Sequence, residues 1–318
     1  MEHVVVFILN YCGIKSIEAG SLAAIKEAID GLKGVKVSVL FLDNFSNDGG
    51  LEYARKIFRN ITLCSTFENV GYTRGTNIGL QLAWRMFKPD YFLLVDSDNF
   101  CAGDAYSRLL EYARAHPNAA MVQPLVKSNA NHDKILSCGH TFKENGGVAA
   151  IRDRSGDFDF DKLESCSISS TLVRARALRA VGLLNEAFEM YYESTDLSFR
   201  MRKHGYDCAC CLDAVAYNER VDKQRFFNFR KCYLMQRNLF LLWYLHDKRR
   251  YEEVVRCWSA QLQDCQKAYS QSQYISDFSN EATRRGLYDG FHFGERPSDE
   301  YLKIPKIDDF KKDDVLVF

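Results

Sequence analysis

Three polar clusters in this 318-residue chain have residue types and spacings that suit chemistry. The sharpest is Asp96-Ser97-Asp98. In an extended segment alternate side chains share a face, so these two carboxylates can converge. Two hard oxygen ligands joined by substrate phosphates are a usual way to hold Mg²⁺ or Mn²⁺. The second cluster is Asp43-Asn44 with Ser46 and Asp48, which offers a carboxylate to a nucleotide base or ribose. The third runs from Asn69 through Gly71, Arg74, Gly75 and Asn77 to Gly79. Its glycines admit close backbone approach to a ligand, and an arginine at a helix start suits a diphosphate. Each cluster also has a plainer reading taken alone. The first two can be Asp-rich turns, one of them capping the next helix, and the third a helix start with small packing residues.

The elements that must position these clusters follow from hydrophobic patterning. His3 to Asn10 is a continuous apolar strand, and Lys36 to Asp43 (KVSVLFLD) is a second. Between them, Ser16 to Leu32 repeats Ala, Ile and Leu at three- and four-residue steps, as a helix does. Continuous apolar strands joined by a helix indicate a parallel sheet covered on both faces. Ile61–Ser65 reads as a third strand, Gly71–Phe87 as a helix, Asp90–Asp96 as a strand and Ala102–His116 as a helix leading to AAMVQP at Ala119. All three clusters then fall at or near the C-terminal ends of strands, the edge where open α/β sheets bind ligands. Residues 129–164 are polar and read as loops and short strands. Helices follow near Ala175–Val181 and Thr195–His204, and Ala209–Asn218 is a late strand. From Asp222 to Arg285 the chain reads as helical, and Pro297–Phe318 as a docked or loose arm. The expected division is one domain over 1–220, with a nucleotide-binding half (1–125) and an acceptor half (126–220). A helical C-terminal extension and tail over 221–318 would follow.

Composition bounds the function. The chain is 47% apolar, with 22 Phe and 17 Tyr, enough for a large core. The 42 basic and 42 acidic residues cancel, so no global field draws in nucleic acid, and no nucleic-acid partner is expected. The 11 cysteines are scattered. Cys208 and Cys211 have CxxC spacing but no second pair at a matching distance, so free thiols in a reducing, cytoplasmic setting are expected. The start, MEHVVVFILNYCG, lacks the basic leader of a signal peptide, and the longest apolar run, Leu239 to Leu245, is far short of a membrane helix. Asp222 to His246 interleaves Phe, Tyr and Trp with Lys and Arg. Such a helix either lies peripherally in a membrane interface, presenting a lipid-linked acceptor, or packs on the main domain. Burial of Phe226, Phe227, Leu241 and Trp243 would favour packing.

The ordered segments ILNYCG, LDNFSNDGG, ENVGYTRGTNIG and LLVDSDN together resemble family 2 of the GT-A glycosyltransferases. VGLLNEAFEMYYESTDLSFRMRKHGY and AYN…QRN extend the likeness to Asn238, and it is strongest to rhamnosyltransferase-like members. The resemblance implies a Rossmann-like α/β domain with a mainly parallel sheet, a nucleotide-sugar donor (UDP-, GDP- or dTDP-sugar), and a glycan or lipid-linked acceptor in glycan or polysaccharide assembly. It implies that Asn10 and Asp43 lie at the nucleotide pocket and that Asn69, Arg74 and Asn77 border the donor site. Asp96 and Asp98 would carry the diphosphate with Mn²⁺ or Mg²⁺. Two positions depart from the family. Where the family has Tyr-Glu-Asp-x-Asp-Leu, this chain has Tyr192-Glu193-Ser194-Thr195-Asp196-Leu197, so the usual catalytic base is a serine. Asn218 stands where a metal- or phosphate-binding His often follows the late strand. The candidate bases are therefore Glu193, preferred, and Asp196, three apart at a helix start and facing one way. His140 and His204 read as packing or surface residues, and Trp243 as core. A non-catalytic nucleotide-sugar-binding homologue is the main alternative. A nucleotidyltransferase is disfavoured because NYCGIK lacks the Gly-rich Arg loop such enzymes use.

Overall fold

The computed structural model describes residues 1–218, 229–269, 276–294 and 298–318. A sheet forms the centre. Strand β1 (His3–Asn10) pairs in parallel with β2 (Lys36–Asp43) on one side and β4 (Tyr91–Asp96) on the other, and β3 (Thr62–Ser65) pairs in parallel with β2. Alternation explains why β1 is apolar throughout. Val5, Phe7 and Leu9 enter the core on one face of the sheet, while Val4, Val6 and Ile8 enter the core on the other. Each face is covered by helices: α1 (Ile14–Glu18), α2 (Ser21–Asp30), α3 (Gly50–Ile57), α4 (Tyr72–Phe87) and α5 (Ala105–Ala115).

The expected helix over 16–32 is two helices. The chain turns at Gly20, whose φ of 105° is readily adopted only by glycine. Two short strands escaped the sequence pattern. One is β5 (Asn99–Cys101), directly after Asp98. The other is β10 (Thr171–Arg174), which inserts antiparallel between β4 and β6 (Ala119–Ser128). Strand β11 (Asp207–Asn218) then runs parallel to β6 and antiparallel to β5. The two halves expected to meet at residue 125 therefore share one sheet, with order β3-β2-β1-β4-β10-β6-β11-β5 and β7 (Ile135–Ser137) beside β6. A separate hairpin, β8 (His140–Phe142) with β9 (Val148–Ala150), lies in the expected loop region. Helices α6 (Ala175–Val181) and α7 (Glu193–Lys203) precede β11.

Helices α8 (Phe229–His246), α9 (Lys248–Tyr269) and α10 (Ser276–Phe291) form the extension. Leu239, Phe240, Leu241, Leu242 and Trp243 are all buried, and five consecutive residues cover every side of a helix. A helix buried all round belongs to a protein core, so this half of α8 is no interfacial membrane helix. The Trp243 indole donates to Gly146 O at 2.8 Å, which confirms it as core. Phe226 and Phe227 lie outside the described residues. Among the described residues no helix is long and apolar enough to cross a membrane.

The tail is docked. After α11 (Asp299–Leu302), Gln81 and Trp84 of α4 donate to Lys306 O and to Asp308, both at 2.8 Å. β12 (Leu316–Val317) then adds antiparallel to β3.

Candidate functional site

The parallel strands end in a hydrogen-bonded seam. Asn10 is fully buried at the end of β1. Its Nδ2 donates to Asp43 Oδ1 at 2.7 Å, and its Oδ1 accepts from Ser97 Oγ at 2.6 Å. One amide thus ties the ends of β2 and β4 to β1. Asp43 also accepts from the Ser46 backbone N–H (2.9 Å) and hydroxyl (2.5 Å). Asp48 caps the backbone N–H groups of Ile14 and Gly50 at 3.0 and 2.9 Å. Gly13 closes the seam. A Cβ there would stand 2.4 Å from Asn10 Oδ1 and 2.5 Å from Ser97 Oγ, so only glycine fits. Asn10 and Asp43 thus tie the strand ends together with their polar atoms already engaged, and neither lines the cleft that follows.

Beyond this seam lies a cleft of about 620 Å³, lined by Tyr11, Lys15, Tyr72, Asp96, Asp98 and Asn218 among others. It runs into a smaller recess of about 240 Å³ that includes Asn44, Asn69 and Gly71. Leu9, Tyr11, Tyr72, Met190, Tyr191 and Lys231 line both, so the two are continuous. Asn69 Oδ1 accepts from the Gly71 N–H at 2.9 Å, and Gly71 has φ 84° and ψ 171°, a conformation nearly confined to glycine. That turn presents Tyr72 at the start of α4.

Asp96 is half-buried, and Asp98 is exposed at the cleft. Burial, and then the charge of Asp98, raises the Asp96 carboxyl to about 7; hydrogen bonds from Ser169 and the Tyr72 hydroxyl oppose this. Burial raises Asp98 as well. A like-charged pair held at such cost is a natural seat for a cation. Asn218 pairs with Asn99 across β11 and β5, which sets it beside this pair and in the cleft lining. Among the described residues no group of three or more His, Cys, Asp or Glu gathers to hold a metal unaided. Two carboxylates completed by phosphate oxygens and water still suffice for Mg²⁺ or Mn²⁺, so the residues present fit such an ion.

Glu193 begins α7 just behind the lining and is only 6% exposed. Burial raises its carboxyl to about 7, and the charges of Asp96 and Asp196 add to the effect against hydrogen bonds from the backbone N–H groups of Glu193 and Ser194. Its Oε2 has no hydrogen-bond partner among the described residues. Asp196, one turn on, is engaged on both oxygens. Arg200 Nε and Nη2 donate to Oδ2 at 2.9 and 2.8 Å, and His246 Nε2 sits 2.8 Å from Oδ1. Burial alone would raise Asp196, but Arg200 and His246 outweigh it and hold the carboxyl below its ordinary range. The two expected base candidates therefore face different partners. Glu193 lies toward Asp96 and Tyr72, while Asp196 locks α7 to α8.

The loop that aims Glu193 is clamped. Glu189, Tyr191 and Tyr192 all have φ between 59° and 70°, which costs non-glycine residues about 1–3 kcal/mol each. Asn238 of α8, fully buried, donates through Nδ2 to the carbonyls of Phe188, Met190 and Tyr191 at 2.8, 2.8 and 2.9 Å. Thr73 of α4 holds Glu189 O from the other side at 2.7 Å. Arg74 and Asn77, expected to border the donor site, line neither part of the cleft. Arg74 is half-exposed and pairs with Asp314 of the tail at 3.2 Å. Asn77 is buried and bonded mainly to backbone: its Oδ1 accepts from Leu184 N, and its Nδ2 donates to Leu184 O and Glu186. Helical spacing explains both, because Arg74 and Asn77 leave α4 on faces turned away from Tyr72.

Comparison with known proteins places the chain in a family and a fold. Residues 18–178, just over half of the chain, match glycosyl transferase family 2. The chain belongs to that family. It is 23% identical over 178 residues to a low-salt glycan biosynthesis hexosyltransferase of Haloferax volcanii, covering 54% of this chain and 57% of the relative. It is 26% identical over 191 residues to an N-acetylglucosaminyl-diphospho-decaprenol L-rhamnosyltransferase of Mycobacterium tuberculosis, covering 54% and 62%. The matched part thus spans about six-tenths of those relatives' length. A mannosyltransferase of Pyrobaculum calidifontis, solved in complex with GDP-Man and Mn²⁺, superposes with a TM-score of 0.56 at 16% identity, over 92% of this chain and 87% of that one. At that identity the likeness concerns the fold, which is that of the GT-A glycosyltransferases.

Proposed function

We propose that this family 2 member transfers a sugar from a nucleoside-diphosphate sugar to an acceptor hydroxyl, with inversion and with Glu193 as the general base. The observation that carries the reading is the meeting of Asp96, Asp98, Tyr72 and Glu193 at one edge of the sheet, with an oxygen of Glu193 lacking any partner among the described residues. The Tyr72 hydroxyl, itself buried beside Asp96, Glu193 and Asp98, stays protonated and donates to Asp96. The donor lies in the cleft with its diphosphate over Asp96 and Asp98. A carboxyl raised to about 7 is well matched to taking a proton near neutral pH. Glu193, close to Asp96 and Tyr72 of the lining, would take the acceptor proton directly or through one water. A divalent ion on Asp96 and Asp98, Mn²⁺ or Mg²⁺, would supply charge stabilisation to the departing diphosphate. The mannosyltransferase neighbour was solved with GDP-Man and Mn²⁺, and the rhamnosyltransferase relative is named for a lipid-linked acceptor, which supports the same classes here.

The test is release of nucleoside diphosphate from a panel of UDP-, GDP- and dTDP-sugars, with and without Mn²⁺ and with polyprenyl-linked or soluble glycan acceptors. Turnover that requires an acceptor supports transfer. Donor binding without any turnover would favour the rival reading of a non-catalytic binding homologue, for which Ser194 in place of the family's acid is the argument.

A further inference from the structure

The cleft floor is acidic and its ligand is an anion, so something must balance the charge. A diphosphate brings about two negative charges to the site before transfer and about three as the leaving group, on top of Asp96 and Asp98. A divalent ion held by Asp96 and Asp98 would offset only part of that charge. Arg74, the cation the sequence suggests, pairs with Asp314 and lines neither part of the cleft. Arg230 lines the smaller recess and not the larger cleft. Among the described residues lining the larger cleft, the cations are Lys15 and Lys231.

These two stand on different elements. Lys15 is exposed on α1, immediately after β1 and the Gly13 turn. Lys231 is half-buried on the first turns of α8, with its ammonium 5.7 Å from the centre of the Tyr191 ring. Lys231 lines both the larger cleft and the recess, so it borders the passage between them. We propose that Lys15 and Lys231 form a cationic clamp that grips the donor diphosphate from above the Asp96–Asp98 floor. Lysine suits this role because a compact charge on a long flexible stem can follow a phosphate that moves as the glycosidic bond breaks. The inference rests on the cleft being the donor site.

The experiment is calorimetric titration of the full chain with UDP, GDP and dTDP, in Mn²⁺ and in EDTA, alongside thermal-shift measurements with uridine, guanosine and thymidine. Lys15→Gln and Lys231→Gln remove the two charges and keep side chains of similar shape, and unfolding curves check that each variant is folded. Each is expected to weaken the nucleoside diphosphate that binds by about tenfold, the lower range for a lost charge-assisted hydrogen bond. Nucleoside shifts should stay as in the wild type. The diphosphate loss should be larger in EDTA, where no ion shares the charge, and should shrink as salt rises. Unchanged diphosphate affinity in both variants, in both buffers, overturns the clamp while leaving the donor site standing. Equal losses for diphosphates and nucleosides also overturn it, because the lysines would then be shaping the cleft rather than holding phosphate. A wild type that binds none of the three diphosphates removes the donor reading and the clamp together.

Discussion

The two sides of the first turn of α7 hold buried acids with opposite fates. On the cleft side, Glu193 has an oxygen without a partner among the described residues, and its pKa is pushed up. On the scaffold side, Asp196 is held by Arg200 and His246, and its pKa is pushed down. Both are nearly inaccessible, so burial alone does not separate them. What separates them is satisfaction. A buried charge with every lone pair engaged is part of the architecture, whereas one left under-engaged is poised to change protonation. The same contrast divides the rest of the site. Asp96 and Asp98 crowd each other, while the scaffold behind them is joined by Asn238, Arg237 with Glu189, and Thr73.

Exchanging charge for its neutral isostere at the two acids is the strongest way to break that contrast. Glu193→Gln should cut turnover by about 10²–10⁴-fold, the range for a general base, and leave donor affinity within about twofold. Rates from diphosphate release and affinities from calorimetry check this. A variant that still turns over at the wild-type rate ends the case for Glu193. Asp196→Leu should instead cost about 3–5 kcal/mol of stability in denaturant unfolding, because Arg200 and His246 lose a buried partner. If Asp196→Asn slows transfer as much as Glu193→Gln while the fold stays intact, the assignment of the two acids is reversed.

pH sharpens the same contrast without mutation. If Glu193 is the general base its carboxyl must be ionised, so turnover should rise with pH around an apparent midpoint near 7. The stability linkage has the opposite sense. A carboxyl with a raised folded-state pKa binds its proton more tightly in the folded chain. Its stabilising contribution is complete below the ordinary value of about 4.3 and is lost as pH rises to about 7. Glu193→Gln should flatten both trends, and profiles that match the wild type would point to another titrating group. Asp196 behaves the other way: its pKa is lowered, so its contribution is present at neutral pH and disappears only in acid, below about 3.9.

Smaller effects are expected from the scaffold. Asn238→Ala removes the side-chain donor from the carbonyls of Met190 and Tyr191, and from that of Phe188, which keeps the Met190 N–H; it should cost about 1–3 kcal/mol and relax the strained loop before Glu193. Turnover should fall more than donor affinity; an equal fall in both would show that the loop holds the donor rather than the base. Arg74→Ala should have the least effect, about 0–1 kcal/mol from a half-exposed ion pair, with donor affinity unchanged. A tenfold loss of affinity would return Arg74 to the donor site.

Much of this was legible in the chain. Continuous apolar runs placed β1, β2 and β4, because a strand buried on both faces must be apolar at every position, and they put Asn10, Asp43 and Asp96 at strand ends. The Asp96-Ser97-Asp98 spacing and the glycines around Tyr72 carried local signals, since turns and tight approaches need particular residues. The short strand β10 did not show itself. Four residues joining two distant strands have no periodicity of their own, and their pairing is settled by the sheet they enter. Nor did the sequence separate Glu193 from Asp196, for both stand in the same helical turn. Arg200, one turn on in the same helix, and His246, arriving from α8 50 residues later, together decide which carboxylate is held ionised and which is left open. Lys231 carried no signal at all, being one cation in a basic helix. The chain by itself determined where strands end and which acids stand there, because those features depend on local patterns. The tertiary structure decided which of those groups are engaged, because burial and charge pairing are set by segments that meet only in the folded chain.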